Sequence, residues 1–394
     1  MKEKVCVVTG TRAEFGLLLP LIKKLHQDDE VELQLVVTGS HLVAAFGNTQ
    51  TEIEASGVPI HARVPLDMAG DTKADMAVST GQAVSRFATY FAQDRPRLVV
   101  LLGDRFEIFA AATAAALQGI AIAHIHGGET TEGAVDEFLR HAITKMSYLH
   151  FTACEEYRRR VIQLGEDPAR VFNVGARGVE NIVHLPALTT RELSESLDFD
   201  LVDKAYAIVT MHPVTQEFDT SEQQVRALIS AMDSIPNMQY IITKANADAG
   251  GRVINEIWEC EAPRHRNWVV VASLGARRYL SALKCARLMI GNSSSGIIEA
   301  PALHVPTINI GQRQAGRMMA ESVICCETDA VSITGAIQQG LSDAFRQIAM
   351  RTRSPFGDGN TSDRIMAEIR RYLRSGETSI RKSFYDLDVG GGQE

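Results

Sequence analysis

Short apolar runs alternate with longer amphipathic segments in the first half of the chain. The apolar runs cover residues 5–8, 33–37, 98–102, 120–125 and 149–153, and helical spacing follows at 17–25 and 108–117. Buried runs of about four to six residues separated by helical patterns are typical of β-α-β units on a parallel sheet. The pattern therefore predicts a doubly wound α/β domain.

A second series of the same kind continues through the other half of the chain. Its apolar runs cover residues 206–210, 240–243, 268–272, 288–290 and 307–310. Two glycines with polar residues interrupt the pattern at 175–178, so we predict an N-terminal domain 1–176, a C-terminal domain 177–372 and a tail 373–394. Because ligands of open α/β sheets bind beyond the carboxyl ends of the strands, two Rossmann-like domains of this kind predict a shared cleft.

The composition narrows the class of protein. A chain of 394 residues suits two domains of about 150–200 residues each. The net charge of −8, without a long basic tract, argues against a nucleic-acid or membrane-surface partner. The six cysteines show no C-x-x-C spacing, which suits a reducing cytoplasm. No apolar stretch approaches the ~20 residues of a membrane span, so we expect a soluble cytoplasmic protein.

A cluster of serines follows the apolar run that ends at Ile290. Residues 291–296 read Gly-Asn-Ser-Ser-Ser-Gly, and Glu299 stands about one turn into the helix that follows. Backbone N–H groups and hydroxyls at a helix N-terminus suit an anion such as phosphate, although a serine also caps a helix without any ligand. Glu299 either accepts hydrogen bonds from ribose hydroxyls or compensates the helix dipole.

Charged residues follow two of the predicted strands in the first half. Residues 9–16 contain Arg12 but match neither G-x-G-x-x-G nor a Walker loop, and Arg12 either clamps a phosphate or lies on the surface. Asp104, Arg105 and Glu107 directly follow a buried run, and such a concentration of charge favours a cleft over a structural cap.

The densest group of titratable residues begins at His124. His124, His126 and Glu129 follow a predicted strand, and the helix beyond them carries four more: Asp136, Glu137, Arg140 and His141. Three interpretations remain open for this group. These residues form either a metal site, or an acid/base centre in which two groups have different pKa values, or a set of surface ion pairs beside one core histidine.

Polar residues also follow the strands of the second half. His212 precedes a proline and is either structural or part of the site, and the loop 244–250 contains Asn246 and Asp248. Arg313 and Arg317 follow the run 307–310, where they could neutralise a diphosphate near the serine cluster.

Taken together, these motifs resemble the hydrolysing UDP-N-acetylglucosamine 2-epimerases, including the close UDP-N,N'-diacetylbacillosamine 2-epimerases. The resemblance runs from about residue 4 to 372 and is carried by residues 9–14, 39–42, 47–49, 103–105, 124–129, 140–145, 212–215, 291–296 and 357–360. It implies two Rossmann-like domains facing a cleft in a glycosyltransferase-B-like arrangement, with UDP held mainly by the C-terminal domain.

The resemblance also implies roles for individual residues. The UDP-binding set is Arg12, Asn246, Leu274, Ser293, Ser294, Glu299 and Arg313, and the other substrate-binding residues are His41, Arg105, Arg140 and Asp248. The catalytic set is Asp104, His126, Glu129, Asp136 and His212. One residue departs from the pattern, because many members carry a glutamate where this chain has His126. That difference leaves either Glu129 or His126 itself to move the proton on C2 of the sugar.

The implied reaction eliminates UDP from UDP-N-acetylglucosamine to give a 2-acetamidoglucal, and water then adds to release N-acetylmannosamine for sialic-acid-type biosynthesis. It needs no metal and no nicotinamide cofactor. The alternative substrate is UDP-N,N'-diacetylbacillosamine, on the way to legionaminic acid. The resemblance also implies a homodimer or homotetramer. A UDP-sugar glycosyltransferase, a non-catalytic nucleotide-sugar sensor and a metallohydrolase using His124 and His126 are the competing hypotheses.

Overall fold

The computed structural model describes residues 2–43, 49–67, 72–131, 135–213, 220–245 and 251–388. Its strands are β1 (Glu3–Thr9), β2 (Val31–Thr38), β3 (Ala62–Val64), β4 (Leu98–Leu102), β5 (Ala121–Ile125), β6 (Leu149–Thr152), β7 (Val171–Asn173), β8 (Tyr206–Thr210), β9 (Gln239–Thr243), β10 (Trp268–Val271), β11 (Leu288–Gly291), β12 (Thr307–Ile310) and β13 (Val323–Cys326). Its helices are α1 (Arg12–Gln27), α2 (Gln50–Ala55), α3 (Lys73–Gln93), α4 (Phe106–Leu117), α5 (Val135–Met146), α6 (Glu155–Gln163), α7 (Arg177–His184), α8 (Thr190–Leu197), α9 (Ser221–Asp233), α10 (Gly251–Glu261), α11 (Gly275–Cys285), α12 (Ser295–Ala302), α13 (Ala330–Leu341), α14 (Asp343–Arg351) and α15 (Thr361–Arg374).

The chain divides into two compact units. The first contains Met1–Glu180 together with Gly359–Glu394, and the second contains Asn181–Asp358. Each unit is built on one parallel sheet, with the strand order β3-β2-β1-β4-β5-β6-β7 in the first and β10-β9-β8-β11-β12-β13 in the second. The predicted class of two doubly wound α/β domains is therefore confirmed.

Both faces of the first sheet are buried, which explains why its strands are apolar at nearly every position. Val5 and Val7 of β1 belong to the apolar core that includes α1, whereas Cys6 and Val8 belong to the core on the opposite side, with Phe87 of α3. Because successive side chains of a strand point to opposite faces of the sheet, one continuous run of apolar residues contributes to both cores.

The last helix belongs to the first unit. Ile365 and Ile369 of α15 lie in the same apolar core as Leu21 of α1, and Arg370 donates a 2.7 Å hydrogen bond from Nε to Asp28. The sequence prediction placed residues up to 372 in the C-terminal domain. The structure differs because helical periodicity shows that a helix has a buried face but does not show which sheet that face covers.

The strand order locates the regions where a ligand would bind. In each sheet the order reverses between two adjacent parallel strands, β1 and β4 in the first unit and β8 and β11 in the second. Ligands of open α/β sheets bind at such topological switch points, beyond the carboxyl ends of the strands. In the described part of the chain, no helix is long and apolar enough to cross a membrane.

Candidate active site

Arg140 organises the switch point of the first unit. This α5 residue is only 2 % exposed, and its Nε donates a 2.8 Å hydrogen bond to Oδ2 of Asp104. Its Nη1 also donates to the backbone oxygen of Glu129 at 2.8 Å and to the carboxylate of Glu137 at 2.9 Å. One buried cation thus joins the segments that follow β4 and β5 to helix α5, and it fixes the position of the Asp104 carboxylate.

Asp136 is the second carboxylic acid at this switch point. Burial raises its pKa above the usual range for an aspartate, and the charge of Asp104 raises it further, while Arg105 and Arg140 act in the opposite direction. Asp136 therefore holds a proton more readily than an ordinary aspartate does and lies within the influence of the Asp104 charge, an arrangement suited to acid/base chemistry.

His126 and Glu129 form a close pair on the loop after β5. Nδ1 of His126 lies 2.9 Å from Oε1 of Glu129, and both side chains are largely buried. The backbone N–H of Arg177 donates a 3.4 Å hydrogen bond to Nε2 of His126. His126 adopts a left-handed backbone conformation with φ of 68°, which is uncommon for residues other than glycine, although histidine adopts it more often than most. Strained backbone of this kind is concentrated at functional sites.

His124 has a structural role in the core. Its Nε2 lies 2.8 Å from the backbone oxygen of Gly103, and its Nδ1 lies 3.1 Å from the hydroxyl of Thr144. Complete burial lowers its pKa to about 3, so the ring is neutral, donates from Nε2 and uses Nδ1 as an acceptor. Both nitrogens are engaged by the protein itself, which removes the main support for the metal interpretation.

Two residues predicted to bind substrate lie near the end of β1. His41 is fully buried, with Nε2 at 3.1 Å from Thr9 and Nδ1 at 2.8 Å from Thr49, and burial lowers its pKa to about 4. Its ring is therefore neutral and enclosed by protein groups. Arg12, at the start of α1, is half-exposed and donates from Nε to Glu52 at 3.0 Å.

Asn292 organises the switch point of the second unit. Its fully buried side chain accepts a 2.7 Å hydrogen bond from the backbone N–H of His212 and donates a 2.8 Å bond to the His212 carbonyl. The Asn292 carbonyl in turn accepts hydrogen bonds from Gln314 at 2.8 Å and from Arg313 at 3.2 Å. The loops after β8, β11 and β12 are thereby held together.

Sequence analysis did not single out Asn292 or Gln314 as site residues. The available signal was an asparagine placed directly after a buried strand, where an amide side chain can pair with both groups of a neighbouring peptide. Gly291 before it is required by space, since a Cβ atom there would lie 1.9 Å from the Thr210 carbonyl oxygen. This glycine has a structural explanation that does not depend on a ligand.

The serines lie at the N-terminus of α12, as the sequence predicts. Ser294 is the N-cap residue but makes no side-chain capping hydrogen bond, so its hydroxyl is not committed to the helix. The hydroxyl of Tyr279 donates a 2.7 Å bond to Ser295, and the N–H of Ser295 donates to Ser293 at 3.4 Å. Burial raises the pKa of Glu299 to about 7, opposed by a hydrogen bond from Ser295.

The remaining predicted binding residues are placed as follows. Leu274 is buried immediately before α11, and its carbonyl accepts a 2.8 Å hydrogen bond from Nε of Arg278. Asn246 and Asp248 lie outside the described residues. The described parts of the two units thus place the other candidate residues at or near the carboxyl ends of the strands.

The fold and these two switch points define a two-domain α/β protein with a candidate ligand-binding region in each unit. A family model described as UDP-N-acetylglucosamine 2-epimerase matches residues 23–370. The chain is 37% identical over 388 residues to a GDP/UDP-N,N'-diacetylbacillosamine 2-epimerase (hydrolyzing) of Campylobacter jejuni, covering 98% of this chain and 100% of the relative. The chain belongs to the UDP-N-acetylglucosamine 2-epimerase family.

Two further comparisons agree with this assignment. A UDP-N,N'-diacetylbacillosamine 2-epimerase (hydrolyzing) of Legionella pneumophila is 37% identical over 364 residues, which cover 92% of this chain and 94% of the relative. Among solved structures, the UDP-GlcNAc 2-epimerase of Neisseria meningitidis bound to UDP-GlcNAc is similar with a TM-score of 0.79, at 16% identity, over 93% of this chain and 100% of the other. This likeness confirms the predicted glycosyltransferase-B-like fold class.

Proposed function

We propose that the protein is a hydrolysing 2-epimerase of a UDP-linked 2-acetamido sugar, which releases UDP and the free sugar inverted at C2. The observation that carries this proposal is the cluster at the first switch point, where Arg140 holds Asp104 by a 2.8 Å hydrogen bond and where burial and the charge of Asp104 raise the pKa of Asp136. Membership of the 2-epimerase family supports the same reaction.

The first unit supplies the acid/base groups in this proposal. The C2 proton of the sugar is weakly acidic, so its removal has to be coupled to the departure of UDP. Asp104, held by Arg140, and the pair formed by His126 and Glu129 are the candidates for proton transfer together with Asp136. Elimination of UDP leaves a 2-acetamidoglucal, which has a double bond between C1 and C2. Addition of water at C1 and protonation of C2 from the opposite face then give a free sugar whose configuration at C2 is inverted.

The second unit supplies the groups that bind UDP. The free hydroxyl of Ser294, Ser293 and the N-terminus of α12 suit the diphosphate, and Arg313 adds a positive charge beside Asn292. These groups stabilise the charge that develops on UDP as the glycosidic bond breaks. Glu299, once ionised, accepts hydrogen bonds from the ribose hydroxyls, and His212 is held at the same switch point by Asn292.

The substrate is one of two UDP-sugars in this proposal. The description of the family model favours UDP-N-acetylglucosamine, which would give N-acetylmannosamine. The Legionella relative is named for UDP-N,N'-diacetylbacillosamine and the Campylobacter relative for the GDP- or UDP-linked form of the same sugar. Their 37% identity makes UDP-N,N'-diacetylbacillosamine the substrate we favour. The two sugars differ at C4 and C6, so the choice depends on side chains that contact those positions.

Proton NMR of the reaction in D2O with each donor tests this proposal. We expect release of UDP, a free 2-epimerised sugar and deuterium at C2, with faster turnover of the diacetylbacillosamine donor. Asp136→Asn should lower kcat at least a hundredfold, because it removes a proton-transfer group, while the affinity for UDP stays within about twofold.

The same experiment separates the competing functions. UDP release that depends on an added acceptor indicates a glycosyltransferase, and UDP binding without turnover of either donor indicates a sensor. Loss of activity to a chelator would support the metallohydrolase. Either of the first two outcomes would reject the epimerase proposal.

A further inference from the structure

Two buried glutamates lie beneath Arg105 in the first unit. Glu107, at the start of α4, is completely buried, and Glu14, in the first turn of α1, is 8 % exposed. Nε of Arg105 donates a 2.7 Å hydrogen bond to Oε1 of Glu107 and lies 3.9 Å from Oε1 of Glu14. Two carboxyl groups thus share one guanidinium group, at the switch point formed by β1 and β4.

The arrangement leaves the outer end of Arg105 available. Among the residues that the structure describes, the only hydrogen bond of the Arg105 side chain is the one that Nε donates to Glu107, and this side chain is 42 % exposed. A guanidinium held at Nε presents Nη1 and Nη2 as two nearly parallel donors, which match two neighbouring oxygen atoms of a ligand. The side chain is therefore fixed at its inner edge and open at its outer edge.

The surroundings of Glu107 hold its carboxylate close to the backbone. A Cβ atom at Gly10 would lie 2.6 Å from Oε1 of Glu107, so the close approach requires glycine at this position. Oε2 of Glu107 is buried and, within the described chain, has no hydrogen-bond partner. An unsatisfied buried carboxylate oxygen destabilises the fold, so a contribution to stability does not explain why a glutamate occupies this position.

We propose that Glu107 is the positioning residue for Arg105, that Glu14 is a second carboxyl group able to compete for the same guanidinium, and that the Nη groups contact the sugar of the substrate. This inference rests on the proposed function, since it assigns Arg105 to the sugar half of a UDP-sugar. Glu107 itself does not touch the substrate.

The electrostatics of Glu14 agree with this arrangement. Burial, and then the charge of Glu107, raise the pKa of Glu14 to about 8, whereas the N–H groups of Gly10 and Thr11 and the charge of Arg105 act in the opposite direction. His41, which lies on the adjoining 3-10 turn, is neutral. Below pH 8 Glu14 is protonated and leaves Arg105 to Glu107. Above pH 8 an ionised Glu14 competes for the guanidinium and draws it away from its position.

Steady-state kinetics of the full-length enzyme between pH 6 and 9 tests the proposal, with UDP-sugar turnover and inhibition by UDP measured separately. Glu107→Gln should raise KM for the UDP-sugar roughly tenfold at pH 7, because a neutral amide holds the guanidinium less strongly than a carboxylate does. The inhibition constant of UDP should change less than twofold. Glu14→Gln should leave KM near that of the wild type at pH 7 and should abolish the rise in KM that the wild type shows above pH 8.

Glu155→Gln, on the surface of α6 in the same unit, serves as the matched control and should behave as the wild type does. A purely structural role for the pair predicts lower urea midpoints for the variants with an unchanged KM and pH profile, and that result would overturn the proposal. So would equal weakening of UDP and UDP-sugar binding.

If the wild type turns over neither donor, the proposed function fails. The positioning role of Glu107 is then tested by binding, as the ratio of the affinity for UDP-N-acetylglucosamine to the affinity for UDP. A ratio that Glu107→Gln does not change would reject it, and a roughly tenfold fall would support it.

Discussion

Arg140 and Asn292 have equivalent roles in the two units. Each is buried at a switch point, and each uses several hydrogen bonds to hold loops that follow different strands. Arg140 places the Asp104 carboxylate in the first unit, and Asn292 places His212 and Arg313 in the second. The candidate catalytic residues Asp104 and His212 therefore lie on loops that are fixed by buried polar side chains.

Sequence reasoning selected the charged residues Asp104 and Arg140 as candidates, but it did not predict that their side chains meet. A sequence pattern places residues near the carboxyl edge of a sheet without showing which side chains contact each other. Asn292 could not be selected, since an asparagine between a glycine and serines also suits an ordinary turn. His41 was predicted to bind the substrate, but a sequence does not reveal that both of its nitrogens face threonine hydroxyls.

Glu299 gives a prediction at the scale of one residue. Its pKa of about 7 means that it ionises as the pH rises from 6 to 8, and only the ionised form accepts hydrogen bonds from both ribose hydroxyls. We expect calorimetry to show tighter UDP binding at pH 8 than at pH 6. Glu299→Gln should bind UDP roughly tenfold more weakly at pH 8, since a charge-assisted hydrogen bond contributes about 1.5–3 kcal/mol.

Ionisation of the UDP phosphate affects wild type and variant equally, so the comparison isolates Glu299. Glu256→Gln, on the exposed surface of α10, is the control in the same unit. If Glu299→Gln retained the full pH dependence of the wild type, the ribose assignment would be wrong.

At the scale of elements, the predicted strands were found where an apolar run was long and buried on both faces. The runs 98–102 and 206–210 became β4 and β8 without a shift. The edge strands β3 and β13 were missed, because they are three and four residues long and partly exposed.

A buried ion pair links α7 to α15. Arg177 and Glu180 are both fully buried and 2.5 Å apart, and Ser362 donates to the same carboxylate from its hydroxyl at 2.8 Å and its N–H at 3.0 Å. Glu180→Ala would leave the Arg177 cation buried without its partner. We expect it to destabilise the first unit by about 3–5 kcal/mol, seen as a lower midpoint in urea unfolding.

Glu155→Ala is the matched comparison for this substitution. Glu155 pairs with Arg158 on an exposed helix surface, and such pairs contribute at most about 0.5–1 kcal/mol. Similar midpoints for the two variants would show that the buried pair does not stabilise the fold in the way we infer.

At the scale of the whole molecule, the second unit is continuous in sequence and the first is not. Asn181–Asp358 contains its own parallel sheet and its own apolar cores. We expect this segment, produced alone, to unfold cooperatively and to bind UDP within about tenfold of the full-length affinity, without epimerase activity. Circular dichroism and calorimetry measure these properties, and a segment without cooperative unfolding would contradict the expectation.

The position of α15 has a consequence for how the protein is made. The ribosome delivers residues 1–180 first, but the apolar face of α1 lacks its partner helix until residues 361–374 have been synthesised. The second unit has its complete sequence before then, so the N-terminal unit is the last to become complete during translation. A nascent chain that stops before residue 361 would therefore lack a helix that completes the unit carrying the candidate acid/base residues, although their codons were translated early.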